Sequence, residues 1–311
     1  MKETPPVLFI VFNRPDTTRR VFESIREARP AKLYIAADGP RATRDGETGL
    51  CNLVRSIALQ VDWPCDLKTL YRDENLGCKK AVSQALTWFF RHESEGIVLE
   101  DDCLPNADFY GFCGEMLEHY RDDDRIWMIT GDNFQNGHWR GNSSYYFSKY
   151  PHIWGWATWR RCWSRYDGDI SFWRDWKNSP QWKSLFHSRA EECYWKRMFG
   201  RSHRSKVNSW AYPWMASIWH ARGLTVTPNK NLVTNIGFGH DATHTFESDS
   251  EMSIPSESLG EISYMRAVSL CEEADIYVFD RLFREGFFSL VRRSPKIVWK
   301  RIKDIVRDSS L

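Results

Sequence analysis

The chain has 311 residues, 42% of them hydrophobic and 27% charged, and its 43 Lys plus Arg against 41 Asp plus Glu leave a net charge of +2. That profile fits a globular chain with a sizeable core, and it gives no global electrostatic case for nucleic-acid binding. No stretch approaches the roughly 20 apolar residues of a membrane-spanning helix, and the apolar run Val7 to Phe12 is too short for a secretory leader, so a cytoplasmic location is expected.

The first third alternates between two periodicities. VLFIVF (7–12) reads as a buried strand. Asp16 can cap a helix through about Ala28, with Val21, Phe22 and Ile25 on one face. KLYIAAD (32–38) is a second strand, stopped by Gly39-Pro40, and residues 44–60 suit a helix. DLKTLY (66–71) is a shorter strand, Asn75-Leu76-Gly77 a turn, Lys79 to Arg91 a helix and GIVLE (96–100) a fourth strand. Such a series predicts a mostly parallel sheet flanked by helices, an α/β fold whose ligands bind beyond the C-terminal strand ends. Asn13-Arg14, Asp38-Gly39 and Glu100-Asp101-Asp102 all fall at those ends.

Beyond residue 105 the pattern loosens. FYGFCGEMLEHY suits a helix and IWMITG a strand, while 145–220 is rich in Trp, Tyr and Arg. In WGWATW (154–159), Trp156 and Trp159 would lie three apart at a helix start, one of them flooring a sugar pocket. FESDSEMSIPSESLG (246–260) reads as a polar loop or mobile lid, and the tail from about Asp275 as helical and basic. The eight cysteines are scattered without a CxxC pair, so free thiols are expected rather than disulfides or a zinc site.

The triplet Glu100-Asp101-Asp102 directly follows a buried strand. Like charges held that close raise one another's pKa, and a solvated loop or a bound cation would relieve them. Mg²⁺ and Mn²⁺ prefer oxygen ligands and reach phosphates through one or two carboxylates. Lys79 and Lys80, at a helix start after a Gly turn, suit an anion such as a diphosphate. His240 and His244 flank Asp241 in a Gly-rich stretch that could touch a metal or phosphate. Neither a dinucleotide fingerprint nor a P-loop is present.

Taken together, VLFIVFNRPDTTRRVFESI, YIAADGPR, NLGCKKAV and IVLEDDCLPNADFYGF resemble the nucleotide-sugar half of a GT-A (nucleotide-diphospho-sugar transferase) glycosyltransferase. The EDD resembles the DxD motif that holds a divalent metal on the donor diphosphate. The run into PNADFYGF resembles N-acetylglucosaminyltransferase I, GWATWRRCW that group's pocket-lining Gly-Trp segment, and NLVTNIGFGHDATHT the closing segment of bacterial family-2-like transferases. The resemblance implies a GT-A domain over 1–245, with a nucleotide-binding half (1–105) and an acceptor half (106–245), followed by a polar loop and basic C-terminal helices over 246–311. It implies a transferase, inverting in type, that uses Mn²⁺ or Mg²⁺ to move a sugar from a nucleotide-diphosphate donor such as a UDP-sugar. The acceptor would be a hydroxyl of a glycan or a lipid-linked saccharide.

Carried over by residue, Asn13, Arg14, Asp38 and Asp101 would contact the nucleotide, with Asp38 on the uracil ring. Lys79 or Lys80 would approach the donor with Trp156 beside it, and Asp102 would be the principal metal ligand, with Glu100 and His240 as further candidates. One departure stands out. The family supplies its carboxylate base in a Trp-Asp-rich segment, and the corresponding stretch here, SWAYPWMAS (209–217), holds no acid. Asp132, Glu191, Glu192 and Asp241 are the alternatives. A non-catalytic nucleotide- or sugar-binding relative and a sugar nucleotidyltransferase remain as other readings. The tail 286–311 spaces apolar and basic residues for an amphipathic helix, either packed on the domain or attached peripherally to the inner face of a membrane.

Overall fold

The computed structural model describes residues 3–237 and 253–284. Its first half follows the expected alternation: β1 (Val7–Val11), α1 (Pro15–Ala28), β2 (Lys32–Ala37), α2 (Glu47–Ala58), β3 (Asp66–Tyr71), α3 (Cys78–His92) and β4 (Glu95–Glu100). Nearly every residue of β1 is buried, as expected of a parallel strand covered on both faces. In α1, Val21, Phe22 and Ile25 are fully buried, each contributing about 1.5–3 kcal/mol of transfer free energy. Pro15 occupies the first turn, where its missing N–H costs nothing. Arg14 holds the cap position expected of Asp16, whose side chain is almost fully exposed.

The second half adds β5 (Cys103–Pro105), α4 (Ala107–His119), β6 (Ile126–Thr130), β7 (Tyr145–Ser148), β8 (Trp156–Trp159), β9 (Leu224–Pro228) and β10 (Val233–Asn235). The main sheet runs β3-β2-β1-β4-β8-β6-β9-β7, with β8 and β7 antiparallel to the other six strands. Short helices α5 (Arg160–Trp163), α6 (Trp173–Trp176) and α7 (Pro180–Lys183) precede α8 (Arg189–His203) and α9 (Ala211–His220).

The tryptophan content goes mostly into packing. Trp173 and Trp182 meet edge to face at 5.1 Å, Trp176 and Trp182 at 4.9 Å, and Trp195 and Trp219 at 5.2 Å. The Trp156–Trp159 segment is strand rather than helix. Fully buried Trp156 stacks on Trp210 at 5.6 Å and 19°.

Of the stretch 246–260, expected as a polar loop or mobile lid, 246–252 lies outside the described residues and 253–260 is a loop pinned along its length. Ser253 donates to Asn235 O, Asn231 to Ile254 O, and Asn106 to Glu257 O, while the Ser258 hydroxyl donates to Asp108. α10 (Glu272–Val278) then docks on β7, where buried Asp275 accepts from the Ser148 hydroxyl and the Lys149 amide. The eight thiols are free, as expected. Among the described residues no helix is long and apolar enough to cross a membrane.

Candidate functional site

The strand order places the site. Register pairs Ile10 of β1 with Glu100 of β4, so the two chains emerge side by side. From β1 the chain moves to β2 on one side, whereas β4 borders β8 on the other. That reversal between β1 and β4 is a topological switch point, the place where open α/β sheets form their ligand crevice. Asn13 and Arg14 line one lip of it, and the acid triplet lines the other.

Arg14 Nη1 donates to Asp102 Oδ2 at 2.7 Å and lies 3.9 Å from Asp101 Oδ1. The Phe12 amide donates to Asp101 Oδ2 at 3.3 Å, and the Cys103 thiol to Asp102 Oδ1 at 3.4 Å. Glu100 is half-buried. Desolvation by the surrounding protein, with the Asp102 and Asp101 charges, still lifts its carboxyl to about 8. Desolvation and then the Asp102 charge push Asp101 upward as well, against the pull of Arg14. Burial lowers the Arg14 pKa, but the Asp101 and Asp102 charges outweigh it and the net shift is up. One guanidinium thus faces three carboxylates.

The tiny β5–β10 ribbon brings a later segment onto the same spot. The Ile236 amide donates to Asp102 O at 2.8 Å, and Gly237 passes so close that a Cβ there would collide with the Asp102 carboxylate. Sequence reasoning missed Gly237. Its only signal is the GFG spelling. His240, Asp241 and His244 lie outside the described residues, as does the tail 286–311.

On the β2 side, Asp38 turns inward. Oδ1 accepts from the Gly39 and Leu76 amides, and Oδ2 from those of Leu76 and Gly77. Its acceptor capacity goes into holding the 74–77 turn, which leaves little for a base ring. Asn13 Nδ2 donates to Glu47, whose buried carboxylate also takes the Arg41 amide and guanidinium, and Arg41 lies 5.4 Å over the Phe12 ring. Glu47 organises this wall, although in sequence it is only one acid in the first turn of the expected helix 44–60.

Lys79 pairs with Asp169 at 3.5 Å, and its amide donates to Asn208 Oδ1 at 3.3 Å; Lys80 is exposed. Cys78 beside them carries a thiol pushed up to about 12 by burial and by the Glu100 and Asp38 charges.

On the far lip, Asp132 follows β6, and its Oδ2 accepts from the Trp154 amide at 2.9 Å. Its Oδ1 is buried without a hydrogen-bond partner, and desolvation drives the carboxyl well above the usual range. Because β8 is antiparallel, the residues before it lie on the crevice edge. The aromatic presented there is half-buried Trp154, 5.3 Å from Phe134. Trp156 is fully buried and shows no face to a ligand. Glu191 and Glu192 serve the aromatic layer instead. Buried Glu191 pairs with Lys149 at 2.8 Å, beyond the β7 end that registers with the start of β9, and Glu192 accepts from Trp182 Nε1 at 3.1 Å.

Among the described residues no group of three or more His, Cys, Asp or Glu could hold a metal ion by itself. The donor set does suit a hard cation that keeps phosphate and water ligands, since Asp102 offers carboxylate oxygen at the crevice mouth.

No protein-family model matches the chain, and no curated protein matches it in sequence. Among solved structures it is similar to HddC from Yersinia pseudotuberculosis, alone and complexed with GMP-PN. Each overlap has 10% identity over 50% of this chain and 77% of that one, with a TM-score of 0.31. It is similar as well to UDP-glucose pyrophosphorylase complexed with UDP-glucose, at 12% identity over 44% of this chain and 66% of that one, with a TM-score of 0.23. Scores this low carry no claim about activity.

Proposed function

We propose that this chain is a metal-dependent GT-A-type glycosyltransferase that takes a sugar from a nucleotide-diphosphate donor, UDP-linked by preference, and passes it to a saccharide hydroxyl. The observation that carries this reading is the acid triplet at the β1/β4 switch point, with three carboxylates facing one guanidinium. Asp102, helped by Asp101, would hold Mn²⁺ or Mg²⁺. Bound there, the cation would supply charge stabilisation to the departing diphosphate. Arg14 is within reach of the same phosphates and can pair with them bidentately. Asn13, Arg41 and Glu47 would shape the nucleotide pocket, and Asp38 would act by fixing the 74–77 turn. Trp154 offers the sugar an apolar face. Asp132 would set the position of Trp154, and its unpartnered oxygen keeps it a candidate base beside Asp241.

A second reading is a nucleotide-sugar binder without transfer activity. Ala211, where the family's acid is expected, opens α9 three residues after Asn208, which contacts the start of α3. The sugar nucleotidyltransferase reading stays weaker, because FNRPD follows β1 where such enzymes carry a Gly-rich basic loop.

Calorimetric titration of UDP with and without Mn²⁺, on wild type and Asp102→Asn, tests the site. Metal-dependent binding lost in the variant supports the reading, and binding indifferent to both refutes it. Metal-dependent hydrolysis of UDP-sugars then separates catalyst from binder.

A further inference from the structure

Most of the chain's tryptophans are buried, but Trp139 is 49% exposed, more than any other large apolar side chain among the described residues. It does not sit on a loose loop. Residues 133–142 leave the C-terminal end of β6 just after Asp132, so they start on the edge that carries the acid triplet. Buried Gln135 donates to the Ala274 carbonyl at 3.1 Å and accepts from Arg140 Nε at 2.7 Å. The Arg140 amide donates to Asn229 Oδ1 at 2.8 Å, and Asn229 Nδ2 donates back to the Arg140 carbonyl at 2.9 Å. Asn136 (φ 52°) and Gly137 (φ 82°) turn the backbone through the left-handed region, and the His138 amide closes the turn on Gln135 O at 3.0 Å. The ring is therefore displayed from fixed backbone, and ordering it on binding costs little.

The surroundings indicate what would land there. His138 meets Tyr277 edge-on at 5.3 Å, and the Arg140 guanidinium lies 5.6 Å over the same ring and 3.5 Å from Glu273. Trp139 thus stands in the chain between two polar residues held on Tyr277, and a single flat face with polar neighbours on either side matches a sugar, with its apolar C–H face and hydroxyl rim. A protein partner would call for a broader apolar centre.

We infer that Trp139 is the stacking platform of a remote saccharide subsite. It rests on the transferase reading, in which the stacked unit belongs to an oligosaccharide acceptor. β8 alone separates β4 from β6, so about 10 Å, or two strand spacings, lies between the triplet and Asp132. The loop then runs toward the end of β9, one strand beyond β6, where Arg140 is tied to Asn229, so an acceptor several sugars long would be needed to span both points.

The test is saturation-transfer NMR on the full chain with a panel of neutral and acidic tetra- to hexasaccharides. Wild type, Trp139→Ala and Trp139→Tyr are compared, and UDP with Mn²⁺ is titrated in parallel. At least one panel saccharide is expected to bind wild type, to weaken about tenfold in Trp139→Ala and to stay within about threefold in Trp139→Tyr, with UDP affinity equal in all three. No saccharide binding to wild type, or equal binding by Trp139→Ala, overturns the inference. So does a change of oligomeric state in Trp139→Ala without any saccharide effect. Saccharide binding that depends on Trp139 while UDP fails to bind any of the three would instead sink the transferase reading and leave the subsite standing.

Discussion

Replacing Arg14 by Met removes the guanidinium from the acid triplet and keeps the apolar stem that packs in the crevice wall. Asp102 then loses its 2.7 Å partner, and Asp101 its cation at 3.9 Å. Removing one partner of a fully buried pair costs about 3–5 kcal/mol. Here the two side chains keep 18% and 21% exposure, so water offsets part of the loss and about 2–3 kcal/mol is expected. For a chain of this size that is a drop of about 3–5 °C in Tm, read by differential scanning fluorimetry without metal. Asp102→Asn supplies the second arm of a double-mutant cycle. If the guanidinium works by compensating Asp102, Arg14→Met costs at least about 1 kcal/mol less in the Asp102→Asn background. Millimolar Mn²⁺ should also raise the Tm of Arg14→Met more than that of wild type, because the cation takes over the missing charge. Additive single-variant effects, together with equal Mn²⁺ responses, would refute the idea that Arg14 and a cation answer the same need.

Gly237→Ala should push the Asp102 carboxylate off Arg14 and weaken Mn²⁺-dependent UDP binding about tenfold or more by calorimetry; unchanged affinity would show that the backbone yields there. Asp275, pushed up to about 7 chiefly by desolvation against its usual 3.8, binds a proton more tightly in the folded chain. Its contribution is fully present below 3.8 and is lost as pH rises through about 7, so stability falls across that window. Half-buried His152, pushed down to about 3 by desolvation, tilts the other way between 3 and 6.5, so the Asp275 effect is read as the difference between wild type and Asp275→Asn in urea melts at several pH values. Parallel curves would count against it. Trp156→Ala should cost about 3–5 kcal/mol, whereas Trp154→Ala should leave stability nearly unchanged and weaken donor-sugar binding; the reverse pattern would restore Trp156 to the pocket.

The alternating first half of the fold was legible because its signals are local. Apolar runs such as VLFIV and GIVLE, each followed by turn chemistry, declare parallel strands, and their ends declare the crevice. The Trp156–Trp159 segment was misread because three-residue spacing is shared by a helix face and an all-buried strand, and what decides is tertiary: β8 slots antiparallel between β4 and β6. Asp38 looked ligand-facing because the sequence hides the Leu76 and Gly77 amides that consume its oxygens. Glu47 and Gly237 were invisible for the same reason, since the partners that define them lie far away in the chain or reach them only through a turn.

Three of the chain's other buried acids, unlike Asp132 with its unpartnered oxygen, show what the triplet lacks. Glu47 accepts from an amide, a guanidinium and an asparagine, Glu191 from Lys149, Tyr150 and the His187 amide, and Asp38 from three amides. Each is surrounded by donors, as a structural carboxylate must be when water is excluded. The triplet is provisioned differently. Asp101 has one long amide contact and a distant guanidinium, Asp102 has Arg14 and a weak thiol, and no hydrogen bond from the described residues reaches Glu100. Burial with so few donors is what lifts the pKa values of Glu100 and Asp101. Among the described residues the triplet is short of positive charge, and it lies at the switch point of the sheet. A divalent cation carrying a diphosphate would remove that deficit and occupy the switch point, and neither a further hydrogen bond nor a protonated acid would do both.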